Sequence, residues 1–336
     1  DNSYATKIQI PDNSKIAIIG DIHSSFHSLY NITLKLRSLN FFENDTMKLR
    51  SNKYIIFTGD IIDYGPYGLE VMWYILTLLY HNPNQIIICK GNHEDLTQYS
   101  FKNQFGLNFL TELETQFLND DRIKNLVTTI LALLPTVVFV KFKNKIYQFN
   151  HGSIDLKISG FNPEDDGSFE TSKSILFKFL NDESYNHLFI SDDYGNNYKW
   201  GDFYYNPNNL SEKSYNYSRK EELNISRPKH HIFLIQKYLT AHNIECIISG
   251  HQDTVAVGVL PKDPSVSELI INEETKDKLF WTRQQGMLNT GKINKNDYEL
   301  DNYSFKLYPN QDTIAVTLST AVPSKLVKFH TFAILS

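Results

Sequence analysis

The chain has 336 residues, of which 41% are hydrophobic and 21% are charged, and it carries a formal net charge of −5 at pH 7. This composition is typical of a globular protein with a large core and excludes an intrinsically disordered chain. A negative net charge offers no basic field to a phosphodiester backbone, so nucleic-acid binding is not expected. No apolar run reaches the length of about 18 residues that a membrane span needs. The polar start of the sequence is no signal peptide, so a cytoplasmic location is expected.

The first 135 residues are predicted to alternate between strands and helices. Apolar runs predict three strands, at 15–20, 54–57 and 85–89. Helical periodicity predicts helices over 29–39 and 68–80, and a third helical stretch over 108–134 that is broken in two near residues 119–121. This alternation is typical of a sheet that carries helices against its faces.

The pattern changes after Pro135. A hairpin is predicted from two apolar runs, 136–142 and 145–149. Residues 154–228 are polar and rich in Asn, Asp and Tyr, which indicates a variable region of loops that frames a site. The further predicted elements are helices at 174–180 and 232–239 and β-structure at 245–249, 254–260, 313–318 and 326–335. Residues 262–309 give no clear pattern and are interpreted as an insertion.

The chain shows no internal repeat and no low-complexity linker, so a single domain over residues 1–336 is predicted. Its two cysteines, Cys89 and Cys246, both lie in apolar runs that are predicted to be strands. We interpret them as reduced core residues rather than as a disulfide.

Three predicted strands end in glycine followed by an aspartate or asparagine, and in two of them a histidine follows closely. Open α/β sheets bind their ligands at the carboxyl ends of the strands. Oxygen and nitrogen ligands delivered to one sheet edge predict a metal site. The three segments are Gly20-Asp21-Ile22-His23, Gly59-Asp60-Ile61-Ile62-Asp63 and Gly91-Asn92-His93-Glu94.

A centre with two divalent ions explains these residue types. Two ions about 3.5–4 Å apart can hold the attacking and leaving oxygens of an in-line displacement. A carboxylate is the best ligand to share between them, and Asp60 is assigned this role; Asp21 and His23 can bind the first ion. Mixed O and N ligands favour Mn²⁺, with Fe or Zn²⁺ as alternatives, over Mg²⁺ or Ca²⁺. Such ions lower the pKa of bound water from about 15.7 towards about 7, which supplies a hydroxide nucleophile.

The ordered blocks resemble the signature of the calcineurin-like metallophosphoesterases, and their form is most similar to the phosphoprotein phosphatase branch. That branch has the blocks GDxHG, GDxVDRG, GNHE, HGG and a late GH. Here they correspond to the three segments above, His151-Gly152 and Gly250-His251, and Lys199-Trp200-Gly201-Asp202 resembles the family's W-S-D block. The resemblance implies an α/β fold of the α+β sandwich type. It also implies two central mixed sheets that are flanked by helices in four layers, α/β/β/α.

The resemblance also implies roles for individual residues. Asn92, His151 and His251 would complete the second metal site, and Asn92 would also contact the phosphate. His93 resembles the general acid that protonates the leaving oxygen, and Asp63 would hold its imidazole in orientation. Arg227 falls where the family has a phosphate-binding arginine. Glu94 is interpreted as a cap of the helix that follows rather than as a substrate contact.

Four positions depart from the family pattern. Tyr64 stands where the GDxVDRG block has an arginine, a bidentate phosphate ligand that a phenol cannot imitate. Ser24 and Ser153 replace glycines of the first and fourth blocks. Pro228 follows Arg227 where glycine is usual, so Arg219 is the rival phosphate ligand. These departures affect the choice of substrate rather than the metal chemistry.

The predicted function is hydrolysis of phosphomonoesters on phosphoproteins, with phosphoserine and phosphothreonine as the default. Phosphotyrosine is an alternative substrate, because Tyr64 and the aromatic loops could accommodate a ring. A dinucleoside polyphosphate hydrolase shares the Gly-Asp blocks, although the GNHE form and Trp200 weigh against it. A phosphopeptide-binding pseudo-enzyme would be favoured by a lost ligand, but every expected ligand is present.

Overall fold

The computed structural model describes residues 3–95, 108–117, 120–163, 165, 167–190, 197–204, 219–220, 226–251, 257–261, 281–282, 288–290, 313–318 and 332–336. The helices are α1 (Phe26–Ser38), α2 (Gly68–His81), α3 (Phe109–Gln116), α4 (Asp121–Ala132), α5 (Ile175–Asn181) and α6 (Ile232–His242). The longer strands are β1 (Ser3–Gln9), β2 (Lys15–Ile19), β3 (Lys53–Phe57), β4 (Ile86–Ile88), β5 (Val137–Phe142), β6 (Lys145–Asn150), β9 (His187–Ile190), β14 (Ile244–Ser249), β15 (Val257–Pro261), β18 (Thr313–Leu318) and β19 (Phe332–Leu335). The short strands are β7 (Phe161–Asn162), β8 (Ser168–Phe169), β10 (Asp202–Tyr204), β11 (Arg219–Lys220), β12 (Ser226–Arg227), β13 (Lys229–His231), β16 (Trp281–Thr282) and β17 (Leu288–Thr290).

Two large sheets are built from these strands. The four-stranded sheet has the order β19-β2-β3-β4, with β2, β3 and β4 parallel and β19 antiparallel to β2. The nine-stranded sheet has the order β16-β17-β15-β18-β14-β6-β5-β1-β9. In it β14 is parallel to both β6 and β18, whereas β5 and β6 form the antiparallel hairpin. Both sheets are therefore mixed.

Successive side chains of each strand point to opposite faces of its sheet, and this alternation divides the core into three apolar layers. On β2, Ile16 and Ile18 pack against residues of the nine-stranded sheet such as Val140 and Ile248. Ala17 and Ile19 point the other way, into a layer shared with α1, α2, α3 and α4. The outer face of the nine-stranded sheet packs on α5 and α6. Strands buried on both faces ordinarily have continuous apolar sequence, as β2, β3 and β4 do. The result is a four-layer α/β/β/α arrangement.

Most predicted elements are present within a few residues of the expected bounds. The break predicted near residues 119–121 separates α3 from α4, and the Asp120 carboxylate accepts a hydrogen bond from the Arg122 N–H at the start of α4. Strands β1 and β9 were not predicted from the sequence. Within 262–309 the structure describes only β16 and β17, and the part of the 326–335 prediction before residue 332 lies outside the described residues. Among the described helices, none is long and apolar enough to cross a membrane.

Candidate metal centre

Five strand ends meet at one edge of the two packed sheets. Asp21, Asp60 and Asn92 follow the parallel strands β2, β3 and β4 within a few residues. His151 directly follows β6, and His251 lies two residues beyond the parallel strand β14. All five side chains are buried, with exposed fractions of 3% or less. Parallel strands deliver their carboxyl ends to the same edge, so residues far apart in sequence become neighbours.

The Asp60 carboxylate lies at the centre of this cluster. Its Oδ2 atom is 2.9 Å from His151 Nε2, 3.8 Å from His93 Nε2 and 3.9 Å from His23 Nε2. Two groups of potential metal-binding atoms share Asp60, and within each group all atoms lie within 4.8 Å of one another. One group adds His23 and His93, and the other adds His151 and His251. A carboxylate common to two groups is the arrangement that a pair of bridged cations requires.

Each imidazole is anchored through one ring nitrogen and directs the other towards the cluster. His23 Nδ1 lies 3.3 Å from the Ile62 carbonyl oxygen, and His151 Nδ1 lies 3.2 Å from that of Thr58. His251 is anchored through Nε2, 3.1 Å from the Trp200 carbonyl oxygen. A carbonyl oxygen only accepts, so the anchored nitrogen carries the proton and the opposite nitrogen presents a lone pair.

Asp21 and Asn92 complete the set of predicted ligands. Both Asp21 carboxylate oxygens accept from the His251 backbone N–H, at 3.1 and 3.0 Å, and Oδ1 lies 3.6 Å from His151 Nδ1. Asn92 Oδ1 lies 3.0 Å from His151 Nε2. The structure therefore brings all six sequence-predicted ligands together in one buried cluster.

The surroundings of His151 require positive charge. Its Nε2 lies close to three acceptor atoms: Asp60 Oδ2, Asn92 Oδ1 and, at 3.2 Å, the lone-pair nitrogen Nδ1 of His251. Burial acts to lower the pKa of His151, but the Asp60 and Asp21 carboxylates outweigh burial and raise this pKa to about 9. For the Asp60 carboxyl, burial acts to raise the pKa, but the His151 and His93 imidazoles outweigh burial and hold this pKa well below its usual range. Converging acceptors of this kind fit a divalent cation.

His93 and Asp63 form a buried pair beside Asp60. His93 Nδ1 lies 2.8 Å from Asp63 Oδ2, which leaves Nε2 directed towards Asp60. The other oxygen of Asp63 accepts from the Phe109 backbone N–H at 2.7 Å, at the first residue of α3. Both carboxylate oxygens are thus engaged, so the orientation of the imidazole is fixed. This arrangement can hold and release a proton at Nε2.

Glu94 was interpreted as a cap of the helix that follows it, and residues 96–107, where that helix would begin, lie outside the described residues. The buried Glu94 carboxylate accepts three backbone N–H groups, from Asp60 at 2.8 Å, Ile61 at 2.9 Å and Gly91 at 2.7 Å. It therefore joins the turn after β3 to the turn after β4. Burial and the nearby Asp60 carboxylate raise the pKa of Glu94, an effect that the His151 imidazole and the N–H groups of Gly91 and Asp60 partly offset. Only the GNHE block itself marked this residue in the sequence.

Two glycines make room for the carboxylates. A Cβ atom on Gly91 would lie 2.1 Å from Asp60 Oδ1, and one on Gly250 would lie 2.1 Å from Asp21 Oδ1. Neither glycine could carry a side chain without displacing a candidate ligand. This is the physical reason for glycine in the GN and GH blocks.

The residues predicted to select the substrate are only partly placed. The Tyr64 ring packs against His23 and His93, with ring centroids 4.7 and 4.9 Å apart. Arg219 and Arg227 are Cα partners in the small antiparallel pair of β11 and β12, and their side chains lie outside the described part of the structure. Lys199, the first residue of the block that resembles W-S-D, forms a buried ion pair with Asp95 at 2.6 Å, which was not predicted from the sequence.

Residues 14–254 match the family model described as calcineurin-like phosphoesterase. Among curated proteins, the chain is similar to the serine/threonine-protein phosphatase 6 catalytic subunit of Caenorhabditis elegans, with 36% identity over 85 residues, 25% of this chain and 22% of that protein. It is also similar to Shewanella-like protein phosphatase 1 of Plasmodium berghei, with 32% identity over 171 residues, 47% of this chain and 44% of that protein. The aligned segments thus span less than half the length of either relative.

A protein serine/threonine phosphatase of Saccharomyces cerevisiae, described as similar to human phosphatase PP5, has a related solved structure. Its TM-score is 0.50 at 18% identity, and the match covers 75% of this chain and 67% of that chain. At this identity the likeness supports the fold alone.

Proposed function

Because the chain belongs to the calcineurin-like phosphoesterases, we propose that it is a metal-dependent phosphoprotein phosphatase that hydrolyses phosphoserine and phosphothreonine esters. The observation that carries the proposal is the buried cluster in which two groups of potential ligands share Asp60. Serine/threonine phosphatases among the similar curated proteins support the choice of substrate.

We assign Asp21, His23 and Asp60 to one ion, and Asp60, Asn92, His151 and His251 to the other. His93, which lies in one of the two groups of potential ligands, is assigned to proton transfer instead, and Asp21 is added to the ligands of the first ion. The mixture of oxygen and nitrogen donors favours Mn²⁺, with Fe and Zn²⁺ as alternatives. When bound, two such ions lower the pKa of a water molecule and so provide the nucleophile for displacement at phosphorus. No nucleophilic side chain is required.

His93 acts as the general acid in this proposal. The Asp63 carboxylate fixes Nδ1, so His93 can deliver a proton from Nε2 to the departing oxygen of serine or threonine. An alkoxide is a poor leaving group, and this proton removes the need to expel it as an anion. The buried position of the pair, with both side chains 4% exposed or less, keeps bulk water away from the transfer.

Arg227 is proposed to bind the non-bridging phosphate oxygens, with Arg219 as its rival on the neighbouring strand. A guanidinium can bond two of these oxygens at once. Arg227→Ala should reduce kcat/KM by about 10²–10³, by analogy with the loss of an oxyanion donor, and Tyr64→Arg should restore part of it. A large loss in Arg219→Ala with an intact Arg227→Ala would instead assign the role to Arg219.

The experiment that tests the function is a substrate panel on metal-depleted protein reloaded with Mn²⁺, Fe²⁺ or Zn²⁺. The panel contains phosphoserine, phosphothreonine and phosphotyrosine peptides, a diadenosine polyphosphate and an aryl phosphate. Asp60→Asn is the control, because loss of the shared carboxylate should remove both metal and turnover. Preferential cleavage of the dinucleotide, or phosphopeptide binding without any turnover, would contradict the proposal.

One observation favours phosphotyrosine as a second candidate substrate. A leaving group protonated by His93 lies beside that imidazole, and the Tyr64 ring is 4.9 Å from it. An aryl leaving group could therefore pack against the phenol ring. If this contact selects the substrate, Tyr64→Leu should lower kcat/KM for a phosphotyrosine peptide more than for the matching phosphoserine peptide.

A further inference from the structure

Strand β6 carries two buried amides on the way to His151. Gln148 and Asn150 are fully buried on the face that packs towards α6, whereas Phe149 between them lies in the core between the sheets. A strand covered on both faces ordinarily has apolar side chains. Buried amides are costly unless every polar atom has a partner, so their presence next to a candidate ligand calls for a reason.

These amides belong to a continuous chain of hydrogen bonds that begins on α6. The Tyr238 hydroxyl donates to Gln148 Oε1 at 2.7 Å, and Gln148 Nε2 donates to Asn150 Oδ1 at 2.8 Å. Asn150 Nδ2 then donates to two backbone carbonyl oxygens, of Ser153 at 2.8 Å and of Tyr198 at 3.1 Å. Tyr238 and Tyr198 are fully buried, as are the two amides.

The donor and the acceptor of each hydrogen bond in this series follow from the two carbonyl oxygens at which the series ends. The carbonyl oxygens of Ser153 and Tyr198 can only accept, so the amide nitrogen of Asn150 must face them and its oxygen must face Gln148. Gln148 is fixed in the same way, with its oxygen towards Tyr238. The Tyr238 hydroxyl therefore has to donate to Gln148 Oε1, which completes the series of hydrogen bonds.

The last hydrogen bonds of the series hold the turn that contains His151, because Asn150 directly precedes His151 and donates to the Ser153 carbonyl oxygen beyond it. Ser153 lies two residues after His151, and its backbone N–H donates to the Asn197 carbonyl oxygen at 3.2 Å. His151 Nε2 is the atom around which Asp60, Asn92 and His251 converge. A rotation of this turn would change all three distances together.

We propose that Tyr238, Gln148 and Asn150 are positioning residues that fix the His151 turn, so that the affinity for divalent cations depends on a hydroxyl group on helix α6. This inference rests on the metal assignment in the proposed function. Partners outside the ligand shell usually change metal affinity or activity by about 10–100-fold. Tyr238 makes no contact with a ligand and acts through the two amides.

The test compares Tyr238→Phe with Tyr147→Phe. The first removes only the hydroxyl that begins the chain; the second is the same substitution at the neighbouring strand position, where the ring lies in the core between the sheets. Mn²⁺ dissociation constants are measured by electron paramagnetic resonance on metal-depleted protein, and folding is checked by thermal melting without metal. We expect Tyr238→Phe to weaken Mn²⁺ binding about tenfold and Tyr147→Phe to leave it unchanged.

A second variant, Gln148→Leu, breaks the same chain at its next bond. Because both substitutions interrupt one pathway, the double variant should bind Mn²⁺ about as weakly as the worse single variant. Wild-type affinity in folded Tyr238→Phe and Gln148→Leu would overturn the inference and leave the proposed function intact. A wild-type protein that binds Mn²⁺ but cleaves no phosphoester would overturn the function alone. Failure of the wild type to bind any divalent ion would overturn the metal assignment on which both rest.

Discussion

Several residues at the candidate site have backbones in the left-handed region. His23, Asp60, Asp63, Tyr64 and His251 have φ between 46° and 73°. The left-handed conformation costs a non-glycine residue roughly 1–2 kcal/mol. The surrounding hydrogen bonds hold these residues there, and the effect is to turn each side chain sharply inwards at the end of its strand.

Ser24 shares this conformation, with φ of 56°, at a position where the resembling family has glycine. Its buried hydroxyl also lacks a hydrogen-bond partner among the described residues. Ser24→Gly should therefore stabilise the protein by about 1 kcal/mol. Glycine removes the backbone strain of the folded state, and this gain exceeds the cost of the greater conformational entropy that glycine gives the unfolded chain. Urea unfolding measures the change. Ser28→Gly, within α1, is the control and should destabilise by a similar amount; a destabilised Ser24→Gly would contradict the strain argument.

His93→Asn separates proton transfer from metal binding. If His93 is the general acid, kcat should fall by about 10²–10⁴ while metal content stays at the wild-type value. The loss should be smaller for an aryl phosphate with a good leaving group, because such a group departs without a proton. Metal analysis together with kinetics on both substrates checks this, with exposed His27→Asn as the control. Metal loss in parallel with activity would make His93 a ligand instead.

Asp155 makes stability depend on pH. Burial raises the pKa of this carboxyl from its ordinary 3.8 to about 7, although the N–H groups of Ile158 and Lys157 act in the opposite direction. The Lys157 ammonium also acts to lower this pKa, and the Tyr198 and Tyr238 hydroxyls are further ionisable neighbours. The folded state thus keeps a proton that the unfolded chain loses above pH 3.8. This contribution to stability is complete below pH 3.8 and is lost as the pH rises to about 7.

Asp155→Asn should remove that dependence. Relative to the variant, the wild type should lose a few kcal/mol of unfolding free energy between pH 4 and pH 7, at about 1.4 kcal/mol for each unit of pKa difference. Urea unfolding of both proteins across this interval gives the difference, with exposed Asp165→Asn as the control. Parallel pH profiles for wild type and Asp155→Asn would contradict the prediction.

At the scale of elements, a buried ion pair joins the turn after β4 to the segment 197–200. Lys199 and Asp95 are each 2% exposed and lie 2.6 Å apart. Removing one partner of a buried pair typically costs about 3–5 kcal/mol, because the other charge stays buried. Lys199→Met should show this loss, and Lys199→Met combined with Asp95→Asn should recover much of it. The double-mutant cycle compares the unfolding free energies of the wild type, Lys199→Met, Asp95→Asn and the double variant.

An exposed pair provides the matched comparison. Lys173 and Glu170 lie 2.8 Å apart with side chains 72% and 32% exposed, so Lys173→Met should cost less than about 1 kcal/mol. A similar cost for Lys199→Met and Lys173→Met would show that the buried pair does not hold the two segments together.

The sequence predicts elements well where a single local pattern determines them. Continuous apolar runs revealed β2, β3 and β14, and helical periodicity with a polar break revealed α3 and α4. Strand β1, with the sequence SYATKIQ, mixes polar and apolar residues and becomes a strand by pairing with β5 and β9. Four of the six candidate ligands, Asp21, Asp60, Asn92 and His251, directly follow a glycine at a strand end, and His151 directly precedes one. Glu94, Lys199 and Gln148 act through contacts with residues distant in sequence, and no local pattern predicts those contacts.

At the scale of the whole molecule, the two cysteines report on the contact between the sheets. Cys89 follows β4 of one sheet and Cys246 lies on β14 of the other, and both are buried in the layer between them. Burial raises the pKa of both thiols, so the reactive thiolate is disfavoured. Iodoacetamide should label neither residue in the native protein. Labelling should begin at the urea concentration at which circular dichroism reports unfolding, and rapid labelling without urea would contradict this packing.

Strand β19 has a consequence for the order of folding. It pairs with β2, so residues 332–335 complete a sheet whose other strands lie within residues 15–88. During synthesis, the edge of β2 that pairs with β19 stays unpaired until almost all of the described chain has been made. Contacts between residues so far apart close slowly. A long-lived open edge is also a template for pairing between molecules, so the nascent chain is exposed to aggregation, and to chaperones that recognise unpaired strands, until residue 335 arrives.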